Sequence, residues 1–132
     1  MPKQFKVLIV TSTVEDRKTL LHVLECLSTN VISCSTLAQA DEVLSQQTID
    51  LVFCEERLPD GTYRDLLTLG QTRQRSVCFV VTTRVGAWEE YLEATQLGAF
   101  DVVPFPLRPT DVELTVIRAM RCEGQNASYM TA

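Results

Sequence analysis

Nothing in this 132-residue chain has the spacing of a metal site: its five cysteines, Cys26, Cys34, Cys54, Cys78 and Cys122, form no CxxC pair. An odd, unpatterned set argues against a zinc ribbon and against a disulfide framework. Cys54 and Cys78 also fall within apolar runs, where a thiol behaves as a small hydrophobe. Histidine is scarcer still, and the single His22 lies in a helical pattern away from both strand cysteines, so no Cys-His nucleophile is suggested. The 12 Lys and Arg are scattered and outnumbered by 17 acids, for a net charge of −5. That balance excludes a phosphate-backbone surface, so Arg73, Arg75 and Arg84 are read as solvated loop charges and no nucleic-acid role is expected. No apolar stretch approaches a membrane span and no charged leader precedes one, so a cytoplasmic protein without membrane contact is expected. A glycine-rich phosphate loop is missing after the first apolar run, where Thr11-Ser12-Thr13-Val14-Glu15 stands, which leaves nucleotide binding unsupported. Internal repeats and low-complexity tracts are absent as well.

What the chain does have is 45% hydrophobic residues, enough at this length for one compact domain with its own core. Short apolar runs rich in β-branched or aromatic residues cover Phe5 to Val10, Val31 to Cys34, Asp50 to Cys54, Val77 to Val81 and Phe100 to Val103. The second is the most polar, as suits a strand nearer an edge. Between them lie segments of helical periodicity: Val14 to Leu27, Thr36 to Gln46, Tyr63 to Leu69, Gly86 to Leu97 and Pro109 to Arg121. Thr13 is expected to cap the first, with Asp16 at the capping-box position, and Gly70 and Gly98 are expected to stop the third and fourth. Five alternations of this kind predict an α/β fold, a parallel sheet doubly wound into three layers with helices on both faces. Residues 1–122 form the expected domain, and the small, polar stretch 123–132 is expected to be a disordered tail or the start of a linker.

The most telling segment is Asp50-Leu51-Val52-Phe53-Cys54-Glu55-Glu56-Arg57-Leu58-Pro59-Asp60-Gly61, a buried-strand pattern that stops at carboxylates and runs into a Pro-Asp-Gly turn. Such a strand delivers a carboxylate to the carboxyl edge of a sheet, where open α/β folds collect their chemistry. With Phe79-Val80-Val81-Thr82-Thr83, and with Gly98-Ala99-Phe100-Asp101 followed by Pro106, the segment resembles the receiver domain of response regulators. The last stretch is similar to receivers of nitrogen-regulation type activators. The resemblance spans about Lys6 to Arg121 and implies a (βα)5 flavodoxin-like fold with strand order 2-1-3-4-5.

It also implies what each site position should carry. Receivers phosphorylate an aspartate with the help of magnesium, held partly by an acidic pair after the first strand, and of a lysine. Here the phosphoacceptor position falls on Glu55, the acidic pair on Thr11 and Ser12, and the lysine on Phe105. Only the switch hydroxyl, Thr82, matches; the switch aromatic position holds Val102. The bond before Pro106 is expected to be cis, because the matching bond in receivers usually is. The losses are consistent in charge: without two anions there is no call for a divalent cation, and without the lysine none for an anionic partner. One carboxylate would remain beside two hydroxyls and Thr82, satisfied by hydrogen bonds. Glu55 would then hold one fixed state or cap the pocket, with a bare strand-end carboxylate or a genuine acceptor as alternatives. Glu56 is expected to face the other side, solvated.

The reading is a degenerate receiver, a pseudo-receiver of two-component phosphorelay signalling. It would be non-phosphorylatable and not an enzyme, without magnesium or another cofactor, and would act by protein-protein interaction. Its partner would be a signalling protein or a fused output domain, and a homodimer through the fourth helix, fifth strand and fifth helix is open. Trp88, Tyr91, Leu92 and Thr95 share one helical face there, as core or as interface. Two rivals stand: a receiver phosphorylated atypically at Glu55 or Asp60, and a small-molecule sensor at the same sheet edge.

Overall fold

The structure, a computed structural model, describes residues 4–73, 77–83, 93–104 and 107–131, with side chains described up to residue 121. In chain order the elements are β1 (Lys6–Val10), α1 (Val14–Cys26), β2 (Asn30–Cys34), α2 (Leu37–Gln46), β3 (Leu51–Glu55), β4 (Arg57–Leu58), β5 (Gly61–Thr62), α3 (Tyr63–Arg73) and β6 (Cys78–Thr83). Helical residues 93–96, here α4, then β7 (Asp101–Pro104) and α5 (Pro109–Thr131) complete the chain. Five strands make one parallel sheet in the order β2-β1-β3-β6-β7, which counted over that sheet alone is the expected 2-1-3-4-5.

Period-two alternation sends each central strand's side chains into two separate layers. Val7, Ile9, Leu51, Phe53, Val80 and Val103 meet Leu20, Val23 and Leu24 of α1 and Val112, Val116 and Ala119 of α5. Leu8, Val10, Val52, Cys54, Phe79 and Val81 meet Ala40 and Leu44 of α2 and Leu66 and Leu67 of α3. A strand buried on both faces has no room for polar side chains, which is why these runs read as continuous hydrophobic stretches. Each Val, Leu, Ile or Phe among them contributes about 1.5–3 kcal/mol relative to exposure. β2 buries only Cys34 and is the edge strand its polarity suggested.

Two expected helix ends differ from what is found. α3 does not stop at Gly70 but passes through it to Arg73, because the missing side chain there makes room for a ring: a Cβ on Gly70 would lie 2.2 Å from Phe79 Cζ. Gly98, in contrast, does end its helix, at φ +107, with the Ala99 amide bonded to the Ala94 carbonyl at 2.9 Å. The backbone of α5 continues beyond Arg121 to Thr131, where a non-periodic tail was expected. Glu123, Gln125, Ala127 and Met130 are competent helix formers set among weaker ones such as Gly124 and Asn126, and an established helix extends at little cost. Between β3 and α3 the Pro-Asp-Gly turn closes a two-stranded hairpin of β4 and β5 that periodicity did not reveal.

Candidate functional site

The site is built where the carboxyl ends of β1, β3 and β6 lie side by side. Parallel register sets Val10 beside Cys54 and Glu55 beside Thr82, and the Thr11 amide extends the β1–β2 ladder to the Cys34 carbonyl at 3.1 Å. Glu55 is therefore delivered to the edge by a strand that is buried along its whole length, and it is itself only 9% exposed. Its Oε1 accepts from the Thr11 hydroxyl at 2.8 Å, the Ser12 amide at 2.8 Å and the Ser12 hydroxyl at 3.1 Å. Its Oε2 accepts from the Thr13 hydroxyl at 3.2 Å. The Thr11 hydroxyl also accepts from the Thr13 amide at 3.1 Å, so the β1–α1 loop is folded around the carboxylate. Hydrogen bonds to an ionised acceptor are the strong kind, and they answer the cost of burying this charge.

Thr13 is the N-cap of α1 by position and backbone, yet its side chain makes no capping bond, and its hydroxyl donates instead to Glu55. The hydroxyl half of the expected capping box is therefore not formed. Arg17, which the sequence reading passed over, braces the same loop from α1: Nη2 donates to the Thr11 carbonyl, to the Cys34 carbonyl at 3.2 Å and to the Ser35 hydroxyl at 2.7 Å. Its Nε is buried without a hydrogen-bond partner among the described residues. No local pattern marks an arginine in a first helical turn as anything but a surface charge, so this role was not legible.

Thr82 is buried at 5% exposure beside Glu55, and Val102 is half-buried against the core layer that contains Val81. Thr95 is half-buried on α4, whereas Trp88, Tyr91, Leu92, Phe105 and Pro106 lie outside the described residues. Glu56 is not simply solvated as expected: its Oε2 accepts from the Thr83 hydroxyl at 3.0 Å. Asp60 turns away from the sheet edge. Its two oxygens accept from the Leu37 and Ala38 amides at 2.7 and 3.0 Å, capping α2, and those bonds hold its carboxyl below the ordinary range. Burial pushes the Cys54 thiol far up and the Cys34 thiol up to about 11, so neither is a ready nucleophile. Among the described residues no cluster of three or more His, Cys, Asp or Glu side chains could hold a metal ion, and no helix is long and apolar enough to cross a membrane.

No protein-family model matches the chain. Among curated proteins it is similar to the response regulator protein PilR of Pseudomonas aeruginosa, 28% identical over 125 residues that cover 92% of this chain and 28% of PilR. The chain thus spans less than a third of the length of that relative. Among solved structures it is similar to a CheY-like response regulator receiver domain protein from Methanospirillum hungatei, with TM-score 0.86, 16% identity, and 94% and 99% of the two chains covered. The non-phosphorylated HemR receiver domain from Leptospira biflexa is similar at TM-score 0.76 and 25% identity, over 88% of this chain and 94% of that one.

The geometry around Glu55 carries a stability prediction. Glu55→Ala leaves the buried Thr11 hydroxyl and the Ser12 amide without their acceptor and should cost about 1.5–3 kcal/mol. Urea denaturation checks this; an unchanged midpoint at unchanged slope would show that the cradle contributes nothing.

Proposed function

We propose that this chain, a response-regulator receiver domain by fold and by sequence relationship, serves two-component signal transduction as a pseudo-receiver: it is not phosphorylated and acts by docking to protein. One observation carries the reading. The carboxylate at the phosphoacceptor position is occupied by four donors from the β1–α1 loop, at 2.8 to 3.2 Å. An acceptor must present a mobile oxygen lone pair to the incoming phosphorus; here three donors crowd Oε1, and Oε2, which keeps one lone pair beside its bond to Thr13, is fixed by the loop folded around the carboxylate.

Magnesium does not fit the same residues. The ion asks for several hard oxygen ligands, carboxylates among them, whereas Thr11 and Ser12 turn their hydroxyl protons to Glu55 and bring no charge. We assign the domain no catalytic step and no cofactor. Asp60 is no better an acceptor, since its carboxylate is committed to the α2 N-terminus. Kinship with receivers of nitrogen-regulation type activators rests on Gly98-Ala99-Phe100-Asp101 and Pro106. Incubation with a small acyl phosphate and magnesium should leave the intact mass unchanged; a phosphoryl increment that disappears in Glu55→Ala would contradict the reading.

For the docking face, a groove of about 300 Å3 between β7 and α5 favours a second copy of the chain. Asp111 and Arg118 line it on α5 on either side of Leu114, which is 56% exposed. Arg118 is held over the groove by its own chain's Asp101, to which Nη1 donates at 3.0 Å. Seven residues are about two helical turns, so an antiparallel two-fold pairing brings each Asp111 to the other copy's Arg118–Asp101 pair with the two leucines between. Sedimentation velocity should find a dimer at micromolar concentrations that Leu114→Glu dissociates. A wild-type monomer at hundreds of micromolar would exclude this partner.

A further inference from the structure

The residue after the phosphoacceptor position ties three elements together. The Glu56 amide donates to the Thr82 carbonyl at 2.9 Å, its carbonyl accepts from the Tyr63 amide at 3.1 Å, and its Oε2 accepts from the Thr83 hydroxyl at 3.0 Å. β3, the end of β6 and the start of α3 therefore meet at one residue. Two of those bonds are made by the backbone and would form with any side chain at position 56. The third depends on the carboxylate. Thr83 is 3% exposed, so its hydroxyl is held in a place where bulk water competes little.

We propose that Glu56 is a positioning residue: through Thr83 it latches the carboxyl end of β6 in one arrangement, independently of Glu55. The two adjacent acids divide the sheet edge between them. Glu55 takes the loop after β1, and Glu56, on the opposite side of the strand, takes the end of β6. Thr82 sits between both anchors, paired with Glu55 in register and with its carbonyl bonded to the Glu56 amide. A strand end tied at two successive residues resists displacement, so the carboxyl end of β6 itself is held in one arrangement at the sheet edge. The proposal deepens the pseudo-receiver reading by naming the side chain that would hold its fixed state.

Amide hydrogen exchange in the intact, ligand-free chain tests it, with the Glu56 amide as reporter and the Leu8 amide as the measure of global stability. Thr83→Val and Glu56→Ala should each speed exchange of the Glu56 amide by about tenfold relative to that of Leu8. The double variant should go no further than Thr83→Val alone, because Glu56→Ala removes a bond that Thr83→Val has already removed. Thr83→Ser, which keeps the hydroxyl, should match wild type. Additive effects, an unchanged rate in Thr83→Val, or a Thr83→Ser variant as fast as Thr83→Val would overturn the latch. A phosphoryl group gained in the mass experiment would instead overturn the pseudo-receiver reading and leave the exchange result standing.

Discussion

The rest of the structure turns on a buried carboxylate at the end of a strand that is itself wholly buried. β3 can run through the middle of the sheet only because Leu51, Val52, Phe53 and Cys54 fill both core layers, and that same burial drives Glu55 to an edge with little water. A charge in such a place needs partners. The β1–α1 loop supplies them with short side chains and one amide, and Arg17 holds that loop's backbone from behind. The charge at the site is thus a single anion, faced by hydroxyl and amide dipoles from the loop after β1.

The added methylene of glutamate matters to this arrangement. A shorter side chain would leave its oxygens nearer the strand end, whereas Glu55 reaches far enough to bond residues 11, 12 and 13 together. Asp60 and Glu56 also accept from donors of other elements. The exposed Asp60 pins the hairpin to α2, and Glu56 pins the end of β6.

Much of this was legible in the residues. The continuous apolar runs fixed the strands to within a residue or two, since a parallel strand covered on both faces leaves no other pattern. The polarity of Val31 to Cys34 identified an edge, and the resemblance to receivers set Thr11 and Ser12 with Glu55 at the strand ends. What stayed hidden was contingent on tertiary contact. Gly70 looks like a helix stop until Phe79 is seen to need its space. Thr13 looks like a side-chain cap, but its hydroxyl is turned to Glu55. Arg17 and Glu56 look like surface charges, because nothing in their neighbours in sequence discloses the carbonyls and the threonine that they meet in space.

The central claim is that dipoles, and not an ion, satisfy the acid at the sheet edge. A magnesium titration of the isotopically labelled chain, followed by NMR at the Ser12 amide, tests it most directly. The account predicts no saturable shift of that resonance up to millimolar magnesium beyond the general effect of ionic strength. A saturable shift shared by Ser12 and its neighbours in the loop, and lost on Glu55→Ala, would contradict it.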